Sequence, residues 1–93
     1  MTTHPVHLHA RRRAVTSESR QNVLDAVHVL TTMRRRAPSL REVALMVGLS
    51  KSTTAYHVNA LQSDGLLASE FYRVGTLRLT DAGRAACREV VYL

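Results

Sequence analysis

A single cysteine, Cys87, excludes any disulfide within the chain and fits a reducing compartment. Tryptophan is absent and aromatic residues make up only 4%, so a core built from this sequence is aliphatic. Lysine occurs once, at Lys51, and the remaining 12 basic residues are arginines. No apolar run approaches the ~20 residues that a membrane-spanning helix needs. The arginine cluster at residues 11–13 is not followed by the continuous apolar stretch of a secretory signal. These absences predict a cytoplasmic protein with no membrane partner. What is present is positive charge: +6 at neutral pH over 93 residues, enough for one domain with one modest core and for a polyanionic partner.

The charge is unevenly spread. Residues 1–15 carry +3, residues 16–36 carry +2 and residues 66–79 carry +1, while residues 37–65 and 80–93 are neutral. Residues 1–15 read as a disordered basic arm, with residues 16–93 the folded domain. Arg11, Arg12 and Arg13 can lie along phosphates or enter a minor groove; a solvated tail is the plainer alternative. His4, His7 and His9 resemble metal ligands in composition only, since a floppy arm offers no fixed geometry, and no metal or other cofactor is expected.

The neutral middle is the most informative stretch. Pro38 halts the preceding element, and Ser39 with Glu42 has the spacing of a capping box. Leu40, Val43, Ala44 and Val47 then recur at helical intervals, and Gly48 suits the left-handed residue that ends a helix. Ser50 caps a second helix, expected at about residues 51–63, whose buried stripe is Thr54, Val58 and Leu61. The Thr54 hydroxyl is expected to bond the Ser50 carbonyl. Gly65 ends this helix, and Leu66 folds back over Leu61. Two short helices joined by a tight glycine turn constitute a helix-turn-helix signature.

Before it, Thr16 or Ser17 is expected to cap a long helix with Val23, Ala26, Val27, Leu30 and Met33 along one side. Arg34, Arg35 and Arg36 close that helix, where positive charge suits its dipole and phosphate contact is a second role. After it, Leu67, Ser69 and Phe71 alternate, as do Leu77 and Leu79 around Arg78, which predicts a hairpin turning at Arg73 to Thr76. Thr80 and Asp81 open a last helix, with Ala82, Ala85, Ala86 and Val90 as a small-residue packing face. The apolar end, Val90 to Leu93, is expected to pack on the first helix or on a second subunit.

Turning 100° per residue from Val58 puts Ser52, Tyr56 and Asn59 on the side away from the core. Asn59 can pair with adenine, and Tyr56 can reach a base edge or phosphate while its ring meets a thymine methyl. Ser50, Lys51, Ser52 and Thr53 crowd the helix N-terminus, where free N–H groups favour phosphate, although Ser50 also serves as a plain cap. His57 falls at the side of the helix, where it is expected to pack or to touch phosphate rather than read a base. Arg73 and Arg78 on the hairpin can reach a DNA backbone. Thr53, His57 and Asp64 share one helix without any nucleophile–base–orienter geometry, so an enzyme is not expected.

With helix-turn-helix, hairpin and closing helix in place, the chain resembles the winged helix-turn-helix family: mainly α, with a three-helix core, a two-stranded wing and a C-terminal helix. PSLREVALMVGL followed by SKSTTAYHVNALQSDGLL is similar to the DNA-binding domain of LexA-type repressors, and RLTDAGRAA to the wing-to-helix passage of MarR-type regulators. The resemblance implies sequence-specific binding of double-stranded DNA by a homodimer on a two-fold site, and transcriptional control, as by a repressor. It also places Ala55 at the DNA surface. LexA-type self-cleavage does not carry over, and a small-molecule effector of the MarR kind is not expected. Two alternatives stay open: a winged-helix protein-interaction module, and a DNA-binding factor of plasmid or phage replication, partition or excision.

Overall fold

The computed structural model describes the backbone of residues 3–70 and 74–88 and the side chains of residues 18–70 and 74–88. Helices α1 (Thr3–Arg34), α2 (Leu40–Val47) and α3 (Lys51–Ser63) are followed by strands β1 (Leu67–Ala68) and β2 (Arg78–Leu79) and by helix α4 (Asp81–Ala86). The strands pair antiparallel, Leu67 opposite Leu79 and Ala68 opposite Arg78. Three helices with a two-stranded hairpin behind them make a winged helix-turn-helix architecture.

The local chemistry explains each boundary. At α2, the Ser39 hydroxyl accepts from the Glu42 amide at 3.1 Å and the Glu42 carboxylate accepts from the Ser39 amide at 2.9 Å, the reciprocal bonds of a capping box. Gly48 closes α2 at φ 74°, and both Gly48 and Leu49 donate to the Ala44 carbonyl. At the end of α3, Gly65 takes φ 76°, its amide donates to Gln62, and the Leu66 amide donates to Leu61. That pair of bonds is a Schellman motif, with Leu66 packed against the core.

The core is aliphatic, as the composition requires. Val23, Leu24, Ala26, Val27 and Leu30 of α1 meet Val43 of α2, Val58 and Leu61 of α3, and Leu67, Leu77 and Leu79 of the hairpin. Glu42 also accepts ion pairs from Arg34 and Arg36, so two of the three arginines that close α1 tie it to the start of α2.

Four expectations are corrected. Helix α1 runs through Thr16 and Ser17 rather than starting at them; Ala10, the three arginines and Ala14 are good helix formers, and Pro5 falls in the first turn, where proline is tolerated. Met33 is 64% exposed, because α1 overshoots the core after Leu30. The strands are only two residues long, and Ser69 lies outside β1. In α4 the alanines face solvent, with Ala82, Ala85 and Ala86 all exposed, and Gly83 is the buried residue. Val90 to Leu93 and Phe71 lie outside the described residues.

Helix α4 and the residues after it dock on α1 through polar bonds. Arg88 donates from Nε to Asp25 at 2.7 Å and from Nη2 to Asn22 at 2.6 Å, and Gln21 donates to the Ala86 carbonyl at 3.1 Å. Cys87 is half-buried beneath this strap, where burial and the Asp25 carboxylate push its thiol up from the ordinary range.

Candidate nucleic-acid interface

Helix α3 is positioned from both ends and from below. Ser50 caps it, its hydroxyl accepting from the Thr53 amide at 3.1 Å and donating to the Thr53 hydroxyl at 2.9 Å. Thr54 is fully buried, and its hydroxyl donates to the Ser50 carbonyl at 2.8 Å, the bond expected from its place on the inner stripe. Val58 and Leu61 complete that stripe.

With the inner side so anchored, the opposite side is free. Lys51, Ser52, Thr53, Tyr56 and Asn59 are exposed, and Ala55 is half-exposed. Tyr56 is the largest of these, 61% exposed. Ser50, Lys51, Ser52 and Thr53 are all exposed at the helix N-terminus, the Ser50 and Thr53 hydroxyls bonded to each other within the cap, where the first N–H groups and the dipole attract anions.

Of the two roles open to His57 at the side of the helix, packing and phosphate contact, the structure shows packing. His57 is only 3% exposed, and its Nδ1 accepts from Nε of Arg20 at 3.5 Å. Burial, and to a lesser extent the Arg20 charge, holds the imidazole below its ordinary pKa of 6.5. Tyr56 and His57 meet edge to face with ring centroids 5.5 Å apart, and the Arg20 guanidinium carbon lies 5.7 Å from the Tyr56 ring centroid. Arg20 belongs to α1, 37 residues from His57, and nothing in the local sequence marks this meeting.

The outer side of α3 continues into a groove of about 400 Å³ closed by the hairpin, lined by Lys51, Ala55, Asn59 and Gln62 on one side and by Val74 to Leu77 on the other. Arg41, at the second position of α2, lines the same groove and is exposed. It was not among the expected contact residues. A basic side chain in the first turn of a helix opposes the dipole, and that mismatch is the sequence signal that points to it. Val74, at the hairpin's tip, is 95% exposed.

Arg78 of the hairpin is not gathered at this groove. Arg78 is exposed, but it lines hollows on the other side of the hairpin, beside His28 and Thr31 of α1. The register accounts for this: Leu77 and Leu79 turn into the core, so Arg78 between them faces out. Arg73, and the side chains of Arg11, Arg12 and Arg13, lie outside the described residues.

Residues 38–68 match the family model for winged helix-turn-helix DNA-binding domains. The matched stretch is α2, the glycine turn, α3 and β1 of the winged helix-turn-helix, the part that carries the groove side chains. It bears on the general winged helix and carries neither the LexA-type nor the MarR-type likeness. No curated protein and no solved structure matches the chain. Among the described residues no group of three His, Cys, Asp or Glu could hold a metal ion, and no described helix is long and apolar enough to cross a membrane.

Proposed function

We propose that the chain is a sequence-specific double-stranded DNA-binding transcriptional regulator, acting in the cytoplasm as a homodimeric repressor. Helix α3 lies in the major groove. Ser52, Tyr56 and Asn59 address base edges, with the Ala55 methyl against a thymine, while Lys51, Thr53 and the capped N-terminus meet phosphate. Arg41 adds a backbone contact from α2. The wing, through Arg73 and Arg78, and the arm, through Arg11, Arg12 and Arg13, supply the salt-dependent attraction.

The observation that carries this reading is the division of α3. Its buried side holds Thr54, His57, Val58 and Leu61, and its free side presents hydroxyl, phenol and amide groups rather than an apolar surface. A helix docking a protein partner presents apolar anchors there. Because the helix-turn-helix stretch is itself neutral while the flanks are basic, affinity and discrimination fall to different parts of the chain.

Selection of bound sequences from a random duplex pool tests it. A regulator of this kind enriches a defined sequence with two-fold symmetry. A lone half-site argues for a monomer, and absence of enrichment removes sequence-specific DNA binding.

A further inference from the structure

We propose that Arg20 is a positioning residue for recognition: it holds the Tyr56 ring in place on the free side of α3 and so sets how sharply that ring discriminates among bases. The proposal rests on the reading of Tyr56 as a groove residue and adds to it the device that orients the ring.

The geometry is a three-part stack reaching from the core to the surface. His57 is buried, so its ring cannot turn freely, and its Nδ1 is the acceptor for Arg20 Nε at 3.5 Å. With Nδ1 accepting, the neutral imidazole carries its proton on Nε2. The guanidinium held by this bond lies 5.7 Å from the Tyr56 centroid, within the range of a cation–π contact. The His57 ring meets the same phenol edge-on at 5.5 Å. Tyr56 therefore lies beside a buried ring and a guanidinium bonded to that ring, although most of its surface is in solvent.

An exposed tyrosine on a helix otherwise samples several rotamers and must be ordered when it binds. Fixing it beforehand removes that cost and restricts which base edge the hydroxyl can meet. No carboxylate among the described residues pairs with Arg20, so an ion pair does not account for its placement. The planar fork of arginine is what allows one side chain to donate in its plane to an imidazole while lying near a ring.

The test is a mutant cycle on the full chain, measuring affinity for the selected duplex and for a random duplex. Arg20→Met is expected to lower the ratio of the two affinities about 5- to 50-fold, and Arg20→Lys to lower it comparably, because lysine keeps the charge but not the fork. In a Tyr56→Ala background neither change lowers the ratio further, and in the free protein Arg20→Met shifts the NMR signals of the Tyr56 ring. Thermal unfolding identifies any variant that does not fold, in which case the lysine variant decides. Equal losses on both duplexes, restored by lysine, make Arg20 a phosphate contact and overturn the proposal. So do additive losses in the Tyr56→Ala background, or ring signals that do not move. If Tyr56→Ala alone leaves the ratio unchanged, the groove reading of Tyr56 fails, and the ring signals still show separately whether Arg20 orients it.

Discussion

Gly83 packs directly on the backbone of Leu66: a β-carbon built on it stands 2.9 Å from the Leu66 carbonyl carbon and nearer still to the oxygen. The same few residues are laced by Thr80, whose hydroxyl donates to the Gly65 carbonyl at 2.6 Å and accepts from the Gly83 amide at 2.9 Å. The end of α3 and the start of α4 are thus one junction. The neighbouring atoms are backbone and cannot swing away, so Gly83→Ala is expected to destabilise the fold by about 2–4 kcal/mol. Denaturant unfolding of the variant measures this, and a loss below about 1 kcal/mol contradicts the contact.

Glu42 links the capping box of α2 to Arg34 and Arg36 at the end of α1. The Ser39 amide, then Arg36, holds its carboxyl down at about 2, against an ordinary 4.5. A depressed carboxylate pKa means that the unfolded chain binds the proton first. Its stabilising contribution is therefore complete above about pH 4.5 and is lost as pH falls toward 2. Glu42→Gln is expected to lower stability at neutral pH and to flatten the pH dependence within that window, as followed by thermal unfolding across the range.

His57 titrates in a separate window. Its pKa is held below 6.5, so the folded state favours the neutral imidazole and the unfolded chain takes up the proton more readily. Stability from this residue is complete above pH 6.5 and declines as pH drops below it. His57→Gln is expected to remove the decline just below pH 6.5 while leaving the more acidic one due to Glu42. If the decline just below pH 6.5 persists in His57→Gln, the imidazole is not its source.

Tyr56 and Asn59 separate discrimination from attraction. Tyr56→Ala is expected to weaken binding to the selected duplex by about 1–3 kcal/mol with little change on random DNA, and Asn59→Ala to relax the preference at one position. Affinity measured on both duplexes decides, and equal losses on the two exclude base reading.

The arm and wing are expected to behave in the opposite way. Replacing Arg11, Arg12 and Arg13 by Gln lowers affinity for every duplex and flattens the log–log salt dependence by up to about 2.7 per subunit, if each arginine meets one phosphate. Arg78→Gln has a smaller effect of the same kind. A slope unchanged by the triple replacement excludes the arm from the interface.

Much of this molecule was readable before any coordinates, and for identifiable reasons. Ser39 with Glu42, the Gly48 and Gly65 terminators, Ser50 as a cap and the Thr54–Val58–Leu61 stripe are each set by neighbours within one or two helical turns, where spacing and propensity act directly. The exposure of Ser52, Tyr56 and Asn59 followed from that stripe. The family match at residues 38–68 falls on the same stretch.

The misjudged residues depend on distant partners. Met33 lies on the apolar side of α1, yet no described element covers it. The alanines of α4 were expected to pack, but the close approach is made by Gly83, because Leu66 returns from α3 at that level. Which of its two expected roles His57 takes, packing rather than phosphate contact, is likewise set by α1 crossing beside it.

The amino-acid sequence by itself determined where the helices start and stop around the glycine turn, which side of α3 is apolar, and that the net positive charge lies outside the helix-turn-helix. Those properties arise from interactions over a few residues and survive in any arrangement of the rest. Only the tertiary structure decided that Arg20 meets Tyr56 and His57, that Arg41 shares a groove with Lys51 and Asn59, and that Arg78 turns toward α1. Each of these joins side chains brought together by packing, and a linear pattern carries no record of which surfaces will touch once the core has closed.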